Sequence, residues 1–428
     1  MRSGEVVAHR MTCVRRDRVA SSNQRLEITT SNDRQPAVWQ YEVAAVSTDV
    51  KMNSDSEYTI RIAASLDHVP EAAWQGMAGQ NPFVGYRFLR LLESTGCASE
   101  RTGWYPRFLL LYRGDDLVAG APCYLKTHSR GEFVFDQSWA QAFEEHGLQY
   151  YPKLVVAVPF TPVEGPRLLA RDDEARAALA QAIGGICSPT GASSAHVLFI
   201  NEEDRSSLLG AGFMVREGVQ FHWRNDGYAS MEDFLSRLSH DKRKKLRQDS
   251  NYVARAGITY QRLDGGRLTD EHLRFFYLCY SNTYREHWST PYLTADFFSR
   301  AHNEGVLDLV LVLASRGDEP VACALNVKAN GVLYGRYWGT TEFHKGLHFE
   351  TCYTQSIAYC IEHGILVFEG GAQGEHKMSR GLMPIKTYSA HWVEDPRFSR
   401  AIFDHLKREA LAIDGYVDEL GKASPFKA

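Results

Sequence analysis

One heptapeptide pattern occurs twice in this chain and constrains its fold more than any other feature. Arg-Gly-Asp-x-x-Val-Ala begins at Arg113 and again at Arg316, a spacing of 203 residues. In both copies an apolar run leads into the Gly-Asp turn and a second apolar run leaves it, which is typical of a β-hairpin. A third strand is predicted after each hairpin, ending at Trp139 in the first copy and at Trp338 in the second. This repeat indicates a duplicated three-stranded meander.

The segments around the two meanders also match in type. The first meander is expected to be about four residues longer, in a turn at 127–131. Helices are predicted before each meander, and a helix and a strand after each one. The pattern predicts two similar α/β (α+β) domains in tandem, with a boundary near 224–229, where Asn-Asp-Gly interrupts it. The flanking segments are 83–95, 154–158, 173–183 and 196–201 in the first half, and 231–255, 258–263, 270–285, 348–363 and 365–369 in the second.

The N-terminal segment has a different composition from the rest of the chain. Residues 1–51 hold seven arginines and one lysine, and Met52 opens a polar stretch that leads into a predicted strand at 58–62. We interpret 1–51 as a disordered tail or as sequence that precedes the natural start; an Arg-rich targeting peptide is the alternative. The predicted domains are therefore 52–225 and 226–428, and the second is expected to carry most of the site.

Composition excludes several classes of function. A net charge of −4 argues against broad, nonspecific binding of nucleic acid, and no DNA partner is predicted. The eight cysteines form no CxxC pair, so neither a structural zinc site nor a thiol redox motif is indicated. No apolar run approaches the roughly 18 residues of a membrane span. Together these features predict a cytoplasmic protein without a membrane span.

Residues 370–381 carry the densest group of chemically active side chains. They follow a predicted strand, and their glycines allow unusual backbone angles whose N–H groups can bind an anion or oxyanion. Glu375 or His376 is the candidate general base, and Lys377 and Arg380 are the candidate cations that neutralise a carboxylate or phosphate. We expect an exposed polar loop that contributes little packing; a solvated surface loop without function is the alternative.

The order of elements in each half resembles that of the GNAT acyltransferase fold: helices come first, then a meander, and then a further helix and strand. Two such halves in one chain resemble the Fem-type transferases of peptidoglycan bridge synthesis. The chain is most similar to the FemAB-like predicted N-acyltransferases, and 370–381 is the most specific part of that resemblance. It implies two tandem GNAT-like (acyl-CoA N-acyltransferase) domains and direct acyl transfer to an amine in a ternary complex. The other segments that carry it are 159–167, 239–247, 291–294, 335–339 and 347–350.

The resemblance also implies where donor and acceptor bind. The donor's phosphates are expected at the start of the helix that follows Trp338, since a helix N-terminus attracts anions. His344 and His348 are four residues apart, but no third ligand is evident and no metal is predicted. The donor-binding residues are then Lys345, Gly346, His348, Glu350, Gly370, Gly371, Gln373 and Gly374, and the acceptor-binding residues are His287, Trp288, Tyr292, Tyr337 and Trp338.

Three functions follow from these features. The first is an N-acyltransferase that uses an acyl-CoA or acyl-carrier thioester, binds no cofactor tightly and acylates a small-molecule or peptide amine. The second is an aminoacyl-tRNA-dependent Fem-type transferase in peptidoglycan precursor synthesis, which the seven basic and two acidic residues of 237–255 would suit. The third is a noncatalytic module that recognises a glycan or peptide. A predicted strand at 258–263 leaves no room for a long helical arm, which favours the thioester donor.

Overall fold

The first half of the chain alternates short strands and helices. The computed structural model describes residues 49–51, 58–371 and 374–427. The strands β1–β10 are Asp49–Lys51, Tyr58–Ala63, Trp104–Pro106, Phe108–Arg113, Asp116–Ala121, Cys123–Lys126, Lys153–Val156, Leu169–Ala170, Ser194–Ile200 and Met214–Arg224. The helices α1–α6 are Glu71–Ala78, Tyr86–Ser94, Gln137–Glu145, Asp173–Gly185, Cys187–Thr190 and Glu202–Gly210.

The second half repeats this order with longer helices at its start and end. The strands β11–β16 are Ile258–Asp264, Leu309–Arg316, Glu319–Ala329, Val332–Thr340, Val367–Glu369 and Met383–Val393. The helices α7–α13 are Met231–Arg237, His240–Arg255, Asp270–Glu286, Ala295–Asn303, Leu347–Phe349, Gln355–Glu362 and Pro396–Lys422. A π-helical segment, Glu350–Thr354, joins α11 to α12 without a break.

The repeated heptapeptide forms the same structure in both halves. Each copy closes a two-residue hairpin turn whose glycine has a positive φ, 59° at Gly114 and 61° at Gly317. The extra residue of a β-bulge follows in both, at Val118 between β4 and β5 and at Val321 between β12 and β13. Because a bulge shifts the register at a defined residue, its recurrence at the same place confirms the predicted duplication.

The third strand of the first meander is not where the sequence predicted it. The segment that contains Trp139 is α3, which begins after Asp136 and buries Trp139, Ala142 and Phe143 on one face. That spacing is helical, because residues three and four apart share a helix face. The strand beside β6 is β7, so the connection between them spans 127–152, against a two-residue turn between β13 and β14. The predicted four-residue insertion was therefore wrong.

The two halves share one eleven-stranded sheet. Strand β10 of the first half lies between β15 and β16, and β16 of the second half lies between β10 and β9. The antiparallel pairing of β10 with β16 extends over nine residue pairs. The fold class is confirmed: two tandem GNAT-like domains, each completed by a strand of the other. A second sheet has the order β1-β2-β4-β5-β8.

The largest hydrophobic cluster joins helices of both halves on one face of the large sheet. Phe88 of α2 contacts Phe297 of α10, with ring centroids 5.9 Å apart, and Phe83 contacts Tyr334 of β14 at 5.0 Å. Burial of these aromatic side chains contributes strongly to folding, since each removes a large apolar area from water. These contacts pack helices and strands of the two halves against each other.

The structure describes only the last three residues of the predicted N-terminal tail. Asp49–Lys51 forms β1 and pairs with β2, so the end of the predicted tail belongs to a sheet. Residues 1–48 lie outside the described residues. Among the residues that the structure describes, no helix combines the length and apolar character needed to cross a membrane.

Candidate active site in the second half

Strands β14 and β15 run parallel and then separate, which opens a cleft. They pair over three residues only, after which β15 ends at Glu369 while β14 continues to Thr340. A β-bulge at Arg336 interrupts the pairing of β14 with β13 at the same level, between Leu325 and Asn326. Bulges are common beside active sites because they redirect side chains and backbone groups.

A cavity of about 120 Å³ lies where the two strands separate. Gly335 faces it from β14, and a Cβ atom at this position would lie 3.0 Å from the carbonyl oxygen of Glu369. The missing side chain therefore keeps the two strand ends close together and the cavity open. The predicted site residues that line it are Tyr337, Trp338, His348, Gly370 and Gly371.

A larger cavity of about 560 Å³ lies beside the first. Both are lined by Trp338 and His348, whose ring centroids are 5.1 Å apart. Arg285 and the exposed Phe343 line the outer cavity only. The two rings therefore form a wall that is common to both cavities. A ligand that enters through the outer cavity would contact these rings before it reaches the inner cavity.

The turn before α11 is held against α8. Gly346 has a φ of 84°, and a Cβ atom there would lie 2.8 Å from the carbonyl oxygen of Asp249, so this position requires glycine. Lys345 donates a hydrogen bond of 3.1 Å to the hydroxyl of Tyr252. The continuous helix from Leu347 to the end of α12 therefore begins at a fixed point beside the outer cavity, and its N-terminus favours an anion.

Two histidines near the inner cavity are held in the neutral state. Burial, together with the nearby His376, Arg380 and Lys377, lowers the pKa of His348 to about 4. Burial and the same two cations also lower the pKa of His376. The His376 Nε2 atom lies 3.3 Å from the hydroxyl of Tyr353. A neutral imidazole can accept a proton, so His376 retains the chemistry expected of a general base.

The loop that contains His376 is only partly exposed, so the prediction of an exposed polar loop holds for Glu375 and His376 and is wrong for Lys377 and Arg380. Lys377 and Arg380 are 2% and 4% exposed. The Lys377 ammonium donates to the carbonyl oxygen of Gly371 at 2.7 Å, and burial lowers its pKa to about 8. Arg380 pairs with Asp249 at 2.6 Å and lies 3.7 Å from the ring centroid of Phe349. Only the fold brings these partners of α8 and α11 to the loop.

Two predicted site residues point to partners outside the cavities. The Glu375 carboxylate accepts a 2.7 Å hydrogen bond from Tyr416 of α13. The buried Glu350 carboxylate accepts bonds from Ser250 at 2.6 Å and Gln355 at 2.9 Å, which ties α8 to the π-helical segment. Glu350 therefore holds two elements together instead of facing a ligand.

The predicted acceptor residues divide into two groups. Tyr337 and Trp338 line the inner cavity, whereas His287 and Trp288 are exposed at the end of α9. Tyr292 stacks on Phe160 of the first half at 4.8 Å and lines a third cavity, of about 640 Å³. Gly374 is the N-terminal flanking residue of the short 3₁₀ helix Glu375–Arg380, and Gln373 lies outside the described residues.

The part of the chain that the structure describes has no group of three or more His, Cys, Asp or Glu side chains placed to hold a metal ion. His344 makes a different contact: its Nε2 atom lies 3.0 Å from a carboxylate oxygen of Glu342. The pair His344 and His348 therefore shows no metal-binding geometry among these residues.

Family comparison decides where the chain belongs. Residues 65–428 match a family described as FemAB-like, peptidoglycan biosynthesis/recognition. The chain belongs to the FemAB-like family. No curated protein matches it.

Several solved structures are similar to this FemAB-like protein at low sequence identity. FemX is 13% identical with a TM-score of 0.48, covering 78% of this chain and 99% of its own. L-PGS from Bacillus licheniformis is 14% identical with a TM-score of 0.49, covering 79% and 96%. A tandem GNAT protein from the clavulanic acid biosynthesis pathway is 11% identical with a TM-score of 0.43, covering 79% and 99%. These values are too low to transfer a function.

The FemAB-like site contains a carboxyl group that the sequence analysis missed. Glu369 is the last residue of β15, and burial raises its pKa to about 8, with Arg336 opposing the shift and Glu164 adding to it. His222 lies opposite Glu369 on β10, and burial, with the charge of Lys377, lowers its pKa to about 4. The available signal was a carboxylate at a strand end directly before two glycines.

The corresponding cleft of the first half is filled by the chain itself. Strands β7 and β9 also pair in parallel, but the loop 159–167 enters between them. The Gly165 amide donates to the carbonyl oxygen of Phe199 at 3.0 Å. The guanidinium of Arg167 is buried and donates to three backbone carbonyls, those of Val163, Pro166 and Leu198. Among the residues that the structure describes, this cleft is filled in the first half of the FemAB-like protein and open in the second.

Proposed function

We propose that this FemAB-like protein is an N-acyltransferase that moves an acyl group from a thioester to an amine. The observation that supports this most is the glycine-lined opening between β14 and β15, with neutral His348 and His376 beside it. An opening of this size suits an extended acyl group, and neutral imidazoles suit removal of a proton from an amine.

The donor enters from the side of α8 and α11. Lys345 and the N-terminus of the helix that begins at Leu347 favour the phosphates of a coenzyme A or carrier-bound arm. The outer cavity leads from this point to Trp338 and His348. The thioester then reaches the inner cavity, where the backbone N–H of Gly371 can stabilise the oxyanion of the tetrahedral intermediate, while that of Gly370 donates to the carbonyl oxygen of Phe221.

The transfer requires one proton acceptor and one cation near the leaving group. The amine nitrogen forms a bond to the acyl carbon while the carbon–sulfur bond breaks, and the amine proton leaves with a base. His376, next to the Tyr353 hydroxyl, takes that role in our proposal, and the buried Lys377 offsets charge on the departing thiolate. Glu369, at the same strand end, carries a proton near neutral pH because burial raises its pKa to about 8, so it is not the base.

The acceptor approaches through the contact between the halves. The Tyr292–Phe160 stack borders a cavity of about 640 Å³ that the segment 128–137 also lines. Aromatic side chains provide apolar contact area together with polar edges, which suits a peptide. The family description favours a peptidoglycan peptide with a free amine as the acceptor.

The test is an acyl-transfer assay with the purified protein. The donors are a panel of acyl-CoAs, acylated carrier protein and aminoacyl-tRNA, and the acceptors are amino acids and peptidoglycan peptides. We expect thiol release in equal amount to amide product, detected with a thiol-reactive dye and mass spectrometry. His348→Ala should lower turnover about 100-fold, and the exposed His363→Ala, near the end of the same helix, is the matched control.

Two outcomes would contradict the proposal. If the protein turned over aminoacyl-tRNA but none of the thioesters, the donor would be aminoacyl-tRNA instead of a thioester. Saturable binding of a peptidoglycan peptide, without turnover of any donor, would favour a noncatalytic recognition module.

A further inference from the structure

Helix α8 lies along the side of the second half where the donor cavity opens. Its Asp249 contacts the turn at Gly346 and the buried Arg380, and its Tyr252 accepts a hydrogen bond from Lys345. The face of α8 that carries Leu246, Asp249 and Val253 is buried. Because Asp249 and Tyr252 hold α8 against the donor turn, the exposed face of the helix lies next to that turn.

This exposed face and the first turn of α8 carry basic side chains, of which Lys244 and Arg255 are exposed and Lys242 and Arg243 half-buried. Lys245 lies 3.3 Å from Asp249, and Arg247 pairs with Glu232. The other basic side chains of the helix have no acidic partner among the residues that the structure describes; they are Lys242, Arg243, Lys244 and Arg255. With a rise of about 1.5 Å per residue, these cations extend over roughly 20 Å.

We propose that this face of α8 is the docking surface for an acidic carrier protein that delivers the acyl group on its thioester arm. The inference rests on the proposed acyl-transfer function and specifies its donor. The carrier would pair an acidic surface with the cations of α8, and its arm would pass Lys345 and enter between Trp338 and His348. Complementary charge of this kind speeds association and fixes orientation.

The dimensions of the charged face favour a protein partner. The phosphates of a free coenzyme A are close together, whereas the unpaired cations are spread along most of a 16-residue helix. A tRNA site usually presents a basic face across several elements, but this chain has a net charge of −4 and the cations of the proposed surface all lie on α8. One basic helix therefore matches the acidic surface of a small carrier protein better than a nucleic acid.

The experiment compares a charge-reversed face with a matched control. The variant is K242E/R243E/K244E, and the control reverses three exposed cations on α13, R400E/K407E/R408E. Affinity for a purified acidic acyl carrier protein is measured by fluorescence anisotropy at several salt concentrations. We expect the α8 variant to bind at least tenfold more weakly and the control within twofold, with wild-type affinity falling as salt screens the charges.

The kinetic arm separates this inference from the proposed function. Both variants should turn over free acyl-CoA within twofold of wild type, while the α8 variant should show at least a tenfold higher KM for the acylated carrier. Thermal unfolding of each variant checks that it is folded, and the single substitution K244E, on an exposed residue, should show the same trend.

Three results would overturn the docking surface. Carrier affinity that is absent in the wild type or unchanged by reversal would exclude it. An equal loss with free acyl-CoA would assign the cations to coenzyme A instead. Loss of steeply salt-dependent tRNA binding, with carrier binding intact, would assign them to tRNA. If no thioester is turned over although carrier binding depends on α8, the acyl-transfer function fails and the binding surface does not.

Discussion

The two halves of this chain have the same order of elements but treat the same cleft in opposite ways. In the first half, loop 159–167 enters between β7 and β9 and is secured by Arg167. In the second half, the turn at 341–346 lies against α8 and leaves the opening between β14 and β15 unfilled. A duplicated fold therefore provides one closed half and one open half.

A difference in side chains accompanies this contrast. Strand β9 ends in the buried Ile200, whereas β15 ends in Glu369 and is followed by two glycines. Arg167 satisfies backbone carbonyls within its own half, and Arg380 pairs with the carboxylate of Asp249 on a neighbouring helix. In the closed cleft the loop is held by hydrogen bonds to its own half, whereas beside the open cleft the loop after β15 is held by contacts with α8.

The largest expected effect concerns the two buried arginines. Arg380→Ala leaves the buried Asp249 carboxylate with only Lys245 as an ion partner, and we expect a loss of about 3 kcal/mol in the free energy of unfolding. Arg167→Ala should cost a comparable amount, because it leaves three backbone carbonyls without their donor at about 1–3 kcal/mol each. Urea unfolding measures both, and the exposed Arg400→Ala should stay within about 0.5 kcal/mol of wild type. An Arg380→Ala protein of unchanged stability would mean that the loop is not packed.

The next largest effect is on turnover, which we expect to fall for a substitution in the open half and not for one in the closed half. His376→Ala should reduce turnover by roughly 10²-fold, since a positioned proton acceptor contributes about that much. The matched change in the first half, His146→Ala at the end of α3, should have little effect. Glu375→Gln tests the other candidate base and should retain most activity, because that carboxylate is bonded to Tyr416. A larger loss with Glu375→Gln than with His376→Ala would reverse the assignment.

The Glu369 carboxyl group beside the open cleft makes the stability of the folded protein depend on pH. Its pKa is raised to about 8 in the folded protein, so the folded state holds the proton more tightly than the unfolded state. The resulting stability is fully present below the ordinary glutamate pKa and is lost as pH rises through 8. Glu369→Gln removes this loss, so its stability relative to wild type should increase between pH 5 and pH 9 by on the order of a few kcal/mol.

Chemical unfolding at the two pH values measures this change. The exposed Glu144→Gln is the control and should show no such dependence. A constant difference between Glu369→Gln and wild type across this range would show that the carboxyl group is charged and solvated.

The smallest expected effect concerns the acceptor side. Trp288 is 99% exposed and lines neither the inner nor the outer cavity, so Trp288→Ala should change stability by less than about 0.5 kcal/mol and leave the acceptor KM unchanged. Tyr292→Ala removes the stack on Phe160 and should raise that KM severalfold. Steady-state kinetics with varied acceptor concentration measures both KM values. A larger rise in KM for Trp288→Ala than for Tyr292→Ala would indicate that the acceptor binds at the end of α9.

Much of the architecture was predictable because it depends on local patterns. The Gly-Asp turns, the alternation of the hairpins and the apolar faces of α4, α9 and α12 are short-range features, and they indicated the duplication and its tandem order. The segment 370–381 was recognisable for the same reason, as glycines and ionisable groups together at a strand end. Membership of the FemAB-like family followed from these same segments.

The sequence by itself determined the repeat, most of the element types and the dense group of ionisable side chains at 370–381. Tertiary structure alone decided that β10 and β16 exchange between the halves, that α3 replaces a strand, and that Lys377 and Arg380 are buried. The physical reason is that strand pairing and burial depend on partners far away in the chain. Asp249 and Arg380 are 131 residues apart, and nothing local to either indicates the other. Whether the cleft of each half is filled or open also depends on distant residues, because these are the hydrogen-bond partners that fix the position of each loop.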